Sequence, residues 1–158
     1  MHRDRESIAA AVGRIPSGCA ILTVSHGGRE TGVLVSWVQQ ASFEPLCLSV
    51  CLKQGRPAAD FVDNAGRFLL NVVSDDPAAM FRHFGKGFAP DEDAFSGLES
   101  TPTDYGRLLP GCIAHLGCEV RHKAAAGDHD LYIADATAAS TTPAARPSVH
   151  LRKSALSY

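Results

Sequence analysis

The chain of 158 residues has five cysteines, an odd number, and no C-x-x-C pair among them. Most lie inside apolar runs, where cysteine acts as a small hydrophobe. None has the spacing of a disulfide framework or a zinc site. Cys47 and Cys51 share one face of a strand but lie too far apart along it to bridge. The chain therefore reads as reduced and cytoplasmic. A basic excess is also missing: 15 Lys and Arg face 17 Asp and Glu, a net charge of -2. That disfavours a general nucleic-acid binder, which needs a positive stripe. No apolar run reaches membrane-spanning length, so no membrane association is expected. The start, Met1-His-Arg-Asp-Arg-Glu6, lacks the apolar core of a signal peptide. No G-x-G-x-x-G follows a strand, because Gly27, Gly28 and Gly32 belong to a hairpin. Gly85-Lys86-Gly87 lacks the Ser/Thr and the upstream Gly of a phosphate loop, and neither H-E-x-x-H nor G-x-S-x-G occurs. The seven histidines show no metal-binding spacing, so no metal is expected.

What remains is ordinary for a globular protein, 45% hydrophobic and 20% charged, and reads as one domain over residues 1–158. Ile8, Ala11, Val12 and Ile15 have helical spacing between Asp4 and Arg14, and Pro16-Ser17-Gly18 ends that element. Strands are expected at Cys19–Val24 and Thr31–Val38, joined by a turn at His26–Arg29, and at Leu46–Leu52. Pro57 opens a helix that Asn64-Ala65-Gly66 stops. Phe68–Val73 is a fourth strand, and Asp76-Pro77 opens a helix to Phe84. Gly85–Pro110 is rich in Gly, Pro, Asp and Ser, and its length suggests a functional lid or a partner-binding segment. Ile113–His122 and Leu131–Ala138 are long strands, and Val149–Arg152 is placed to close the sheet. Many strands, short turns and short helices favour a closed antiparallel β-barrel.

Two strand ends carry the chemistry. Thr31-Gly-Val-Leu-Val-Ser-Trp-Val38 runs into a polar cluster, Ser36, Gln39, Gln40 and Ser42, with Trp37 inside it. Leu46–Leu52 ends in Lys53-Gln54-Gly55-Arg56. Side by side, these ends set hydroxyls, amides, an aromatic face and two cations around one crevice. A phosphorylated, planar, amphipathic ligand needs that set, and flavin mononucleotide (FMN) fits it. Each part also has a plainer reading. Lys53–Pro57 is a solvated turn with a helix cap, or an anion site using a helix N-terminus and a guanidinium. Ser36-Trp37-Val38 is a core edge or a cofactor contact, since buried hydroxyl and indole N–H groups need partners. Asn71, inside an apolar strand, is a satisfied core amide or a ligand contact. His129 is an exposed turn histidine or a site residue with carboxylates, Asp128 and Asp130, on both sides to pair with its charged form.

In order and spacing, Thr31–Val38, Ser42-Phe-Glu-Pro45, Lys53–Pro57, Gly66-Arg-Phe-Leu-Leu-Asn-Val72 and Gly127-Asp-His129 resemble the flavin reductase-like family, the FMN-binding split barrels. Arg82-His-Phe-Gly-Lys-Gly-Phe88, Asp91-Glu-Asp-Ala-Phe95 and Arg152-Lys-Ser-Ala-Leu-Ser-Tyr158 look like the reductase module of diflavin flavodiiron proteins. Pro45-Leu46 stands where many members have two prolines, and Lys53-Gln54-Gly55 where many have an Asn and serines; both agree better with the diflavin subgroup. The resemblance implies a mainly β, Greek-key split barrel that forms a homodimer with FMN near the interface. It implies cofactor contacts from Leu34, Val35, Ser36, Trp37, Val38, Ser42, Lys53, Gln54, Gly55, Arg56 and Asn71. His83 and Phe84 would border the crevice, and His129 would lie where the nicotinamide stacks.

The activity so implied is hydride transfer from NADH or NADPH to flavin, with reduced flavin passing electrons to an acceptor, for which a protein partner is a candidate. Two rivals remain at this level: an FMN-binding electron carrier without turnover, and a structural barrel whose pocket is empty or holds haem.

Overall fold

The computed structural model describes residues 3–142, 145–152 and 155–156. The Asp4 carboxylate accepts the Ser7 N–H at 2.8 Å and so caps α1 (Arg5–Val12). After the short β1 (Ser17–Gly18), β2 (Ala20–His26) and β3 (Arg29–Val35) form a hairpin. Its turn uses Gly27 and Gly28, both at positive φ (59° and 75°), as a tight two-residue loop demands. Two residues outside any strand lead to β4 (Val38–Ser42) and then β5 (Cys47–Lys53). Proline occupies the first position of α2 (Pro57–Ala65), which ends on Gly66 in the left-handed region. The chain continues through β6 (Arg67–Val72), α3 (Ala78–Phe84), β7 (Thr101–Pro102), β8 (Arg107–Leu108), β9 (Ala114–Ala126), β10 (His129–Thr141) and β11 (Val149–His150).

Seven strands pair antiparallel in the order β3-β2-β6-β9-β10-β5-β4. The two outer strands, β3 and β4, are consecutive in the chain. Ser36 and Trp37 therefore carry the backbone from one margin of the sheet to the other and curl it into a barrel. β3 and β5 face each other across the seam without being ladder partners. This is the split antiparallel barrel expected from the sequence. Leu22, Val24, Val50, Phe68, Leu70 and Tyr132 fill its interior.

Several expectations are corrected. The returning strand stops at Val35 rather than Val38, because the chain must leave the β2 ladder to cross the seam. Gln39, Gln40 and Ser42 do not end the returning strand; they belong to β4, an edge strand on which Gln39 and Gln40 face solvent. Val149 and His150 pair with Gly18 and Ser17 in a separate two-stranded sheet instead of closing the large one. Segment 85–110 is no free lid. Phe95 and Leu109 pack with Phe84, Ile21 and Val73 in a second apolar cluster. Arg107 pairs with Glu30 at 2.6 Å, and its carbonyl accepts the Thr23 hydroxyl at 2.8 Å. On α1 only Ala9 is buried; Ile8 and Val12, and Ile15 just beyond the helix, are exposed among the described residues.

Candidate active site

A crevice of about 220 Å³ opens at the seam. Val33, Leu34 and Val35 of β3 form one wall, and Cys51, Leu52 and Lys53 of β5 the other. Ser36 and Trp37 close it where the chain crosses, and the Cys51 N–H donates to the Trp37 carbonyl at 3.0 Å. Arg56 and Ala58 at the start of α2 form one end. The first N–H groups of a helix have no acceptor within it, and Ala58 lies in that first turn. This end therefore combines a helix N-terminus, a guanidinium and an ammonium, a site suited to an anion. Gly55 takes φ +74° with open space around its α-carbon, so the turn presents bare backbone.

Arg56 is tied down as well as charged: its Nη1 donates to the Lys86 carbonyl at 2.6 Å, joining the turn to the loop after α3. His129 is 5% exposed, not the solvent-facing turn residue of the plainer reading. Its ring lies 4.5 Å from Trp37 at a 50° tilt, and Nδ1 meets Asp128 Oδ1 at 2.8 Å. That hydrogen bond holds the Asp128 carboxyl below its ordinary range. Arg152 lies over the other ring of the pair, its guanidinium 4.9 Å from the Trp37 centroid. Lys153, Ser154, Ser157 and Tyr158 of the terminal motif lie outside the described residues.

Of the expected site residues, Leu34, Val35, Ser36, Trp37, Lys53 and Arg56 line the crevice, and His129 stands behind Trp37. Val38 is the first residue of β4, beyond the crossing, and Gly55 forms the turn itself. Five are used elsewhere. The Ser42 hydroxyl donates to the Pro45 carbonyl within its own turn. The Gln54 amide donates to Asp130 Oδ1 at 2.8 Å. Asn71 is fully buried; its amide donates to the Ile21 and Arg107 carbonyls, both at 3.2 Å, and its oxygen accepts the Leu109 N–H at 2.9 Å. It is the satisfied core amide, and it pins segment 85–110 to β2. His83 Nε2 meets the Ala94 carbonyl at 2.8 Å, and Phe84 is fully buried beneath Gly32. From α3 it is Phe81, together with Gly85 just past its end, that reaches the crevice.

Sequence reasoning missed Cys19, Cys51, Ala58 and His150 as lining residues. For the cysteines a signal existed: Cys51 alternates with Val50 and Leu52 on β5, so it points away from the barrel interior. Desolvation raises both thiols, which keeps Cys19 and Cys51 neutral at physiological pH.

A seam-lined crevice with an aromatic wall and a cationic end, on a split antiparallel barrel, defines a class of proteins that hold a flat anionic cofactor. The particular family follows from comparison. The flavin reductase-like domain model matches residues 12–156, and the chain belongs to that family. It is 33% identical over 121 residues to diflavin flavoprotein A 1 of Synechocystis sp., covering 75% of this chain and 21% of that protein. The chain thus spans about a fifth of the length of the curated relatives it matches. Among solved structures it is similar to the styrene monooxygenase flavin reductase of Pseudomonas putida, with TM-score 0.76, 26% identity and 90% of each chain covered. An NADH:FAD oxidoreductase of Streptomyces globisporus shares the fold, with TM-score 0.84, 20% identity, 91% of this chain and 86% of that one. Among the described residues, no helix is long and apolar enough to cross a membrane.

Proposed function

We propose that residues 1–158 form a single FMN-binding flavin reductase domain that takes hydride from NADH or NADPH and passes electrons onward from reduced flavin. One observation carries this reading: the crevice joins an apolar and aromatic wall to a two-cation end at a helix N-terminus, and FMN has that same polarity along its length. The residues present fit the cofactor. Lys53 and Arg56 would hold its phosphate by charge-assisted hydrogen bonds, which favours FMN over riboflavin. Leu34, Val35 and Trp37 would flank the isoalloxazine, and the neutral thiols of Cys19 and Cys51 keep the surroundings uncharged.

When bound, the flavin supplies the hydride-accepting atom, N5. The protein binds and orients: a nicotinamide stacked against the flavin must bring C4 to about 3–3.5 Å from that atom. His129, held by Asp128 against Trp37, would border that approach. No acid–base dyad is needed. Ligand pockets commonly run ~300–1,000 Å³, above the crevice's volume of about 220 Å³, so a bound flavin would need further cover. A second copy of the chain is the cover we propose. The exposed Ile8 and Val12 of α1 and Ile15 just after it, with Val149 and Leu151 beside the crevice residue His150, support such a homodimer. Five unpaired thiols suit the cytoplasm. The name of the diflavin relatives supports transfer to a flavin-linked acceptor, in a partner protein or a further domain.

The deciding experiment mixes flavin-loaded protein with NADH or NADPH without oxygen. Rapid bleaching of the flavin band is expected. Persistent yellow colour would instead mark an electron carrier, and protein that neither contains nor takes up flavin would defeat the proposal outright.

A further inference from the structure

The phosphate turn and the His129 wall are mechanically one piece. The Gln54 N–H donates to the Asp128 carbonyl at 3.1 Å, and Gln54 Nε2 donates to Asp130 Oδ1 at 2.8 Å. Lys53 is the ladder partner of His129. Behind them, Asp130 pairs with Lys123 of β9 at 3.0 Å, and Lys123 pairs with Asp63 at 2.6 Å. Asp63 also accepts the Tyr132 hydroxyl at 2.9 Å. Asp63 lies on α2, whose N-terminus is the cationic end of the crevice. The contacts form a closed circuit: turn, hairpin, β9, α2 and back to the turn.

From this circuit we infer that Gln54 and Lys123 are positioning residues, through which an anion captured at Lys53–Arg56 sets the His129 ring against Trp37. The inference rests on the reductase reading above and deepens it. The reason is geometric. An anion drawing in Lys53, Arg56 and the first turn of α2 pulls on both Gln54 and Asp63. Gln54 bonds Oδ1 of Asp130, the residue following His129, and Asp63 reaches Oδ2 of the same carboxylate through Lys123. The Asp130 carboxyl is held below its ordinary range by Gln54 and then by Lys123, so it stays an anion able to grip both partners. A cofactor with a phosphate should then be reduced faster than one without it, beyond any difference in binding.

The test compares stopped-flow reduction by NADH of protein saturated with FMN and with riboflavin. A displacement of 1 Å can cost ~100-fold in rate, so the wild-type chain should reduce bound FMN at least ~10-fold faster than bound riboflavin. Gln54→Leu, which keeps the bulk and loses the amide, should bring the two rates within ~2-fold by the same argument. FMN affinity should change far less than the rate. Lys123→Met should act likewise and Lys123→Arg should restore the ratio, which a merely stabilising role would not produce.

A second readout needs no turnover. Inorganic phosphate added to the flavin-free protein should shift the His129 ring signals in NMR spectra, and should leave them unmoved in Gln54→Leu. An FMN-to-riboflavin rate ratio near one in the wild type, or a ratio that survives Gln54→Leu, overturns the inference while leaving flavin reduction intact. If the protein takes no flavin, the phosphate titration alone decides, and silent His129 signals overturn it.

Discussion

The Cys51 N–H donates to the Trp37 carbonyl at 3.0 Å, extending the β4–β5 ladder by one rung and tying the crossing segment to the β5 wall of the crevice. Trp37 is thereby held by its own backbone while its side chain meets both His129 and Arg152. The Cys51 thiol, on the same residue, lines the crevice. It is a natural reporter of what enters.

Alkylation should read that reporter. Burial raises the Cys51 thiol, so iodoacetamide should label it slowly at neutral pH and faster as pH rises. FMN should protect it with the same concentration dependence as FMN binding. Cys112 and Cys118, which burial pushes up to about 11 and about 12, should stay unlabelled in the folded protein. Unprotected Cys51 in FMN-saturated protein would mean that the flavin sits elsewhere.

Arg56→Ala should weaken FMN binding by about 1.5–3 kcal/mol, the scale of a hydrogen bond to a charged group. Riboflavin, which lacks the phosphate, should change little. Equal losses for the two ligands in calorimetry would show that Arg56 acts only by holding the Lys86 carbonyl.

Gly32→Ala should destabilise the fold without touching the crevice. A β-carbon there would lie 2.7 Å from Phe84 Cε1, and Phe84 is fully buried in the second apolar cluster, so something must shift. Overpacking of this kind costs about 1–3 kcal/mol, measurable as a lower urea midpoint at unchanged slope.

Stability should fall on both flanks of neutral pH. Asp128, Asp130 and Asp135 are held low, chiefly by hydrogen bonds from His129, Gln54 and Arg121 respectively. Their contribution is present above about pH 3.9, the unfolded value, and is lost as pH falls through the folded values. Tyr132 and Cys118 are pushed up to about 12, and Cys112 to about 11, mainly by burial. The unfolded chain loses these protons first, from about pH 8.5 for the thiols and about 10 for the phenol. Stability is therefore lost as pH rises through that range toward the folded values. Urea midpoints across pH should show both limbs, and Arg121→Ala should shrink the acid one.

Ile15→Asp combined with Leu151→Asp should leave a folded monomer. Light scattering should give twice the mass of one chain for the wild type and one chain for the variant. A wild-type monomer that still binds FMN fully would remove the need for a cover from a second copy.

Much of the fold was legible because its signals are local. Gly27-Gly28 dictates a hairpin, Pro57 starts a helix, Gly66 ends one, and alternation marks β5. Crevice-lining residues were legible at the two strand ends, as at Ser36, Trp37, Lys53 and Arg56. Gln54, His83 and Phe84 neighbour crevice residues in sequence, and Asn71 is a polar residue in an apolar strand, but each side chain turns to a partner remote in sequence. Asp130, Arg107, Ala94 and Gly32 are those partners, and no spacing rule links such pairs.

By itself the sequence determined the long strands β2, β3, β5, β6, β9 and β10, the β2–β3 turn, and which polar and cationic residues gather at strand ends. Period-two alternation and the conformational demands of Gly and Pro act over a few residues, so they can be read without neighbours. Only the tertiary structure decided that β3 and β4 stand at opposite margins of one sheet, joined through Ser36 and Trp37. That choice depends on which distant strands share a ladder, an outcome of packing summed over the whole barrel, and it is what opens the seam.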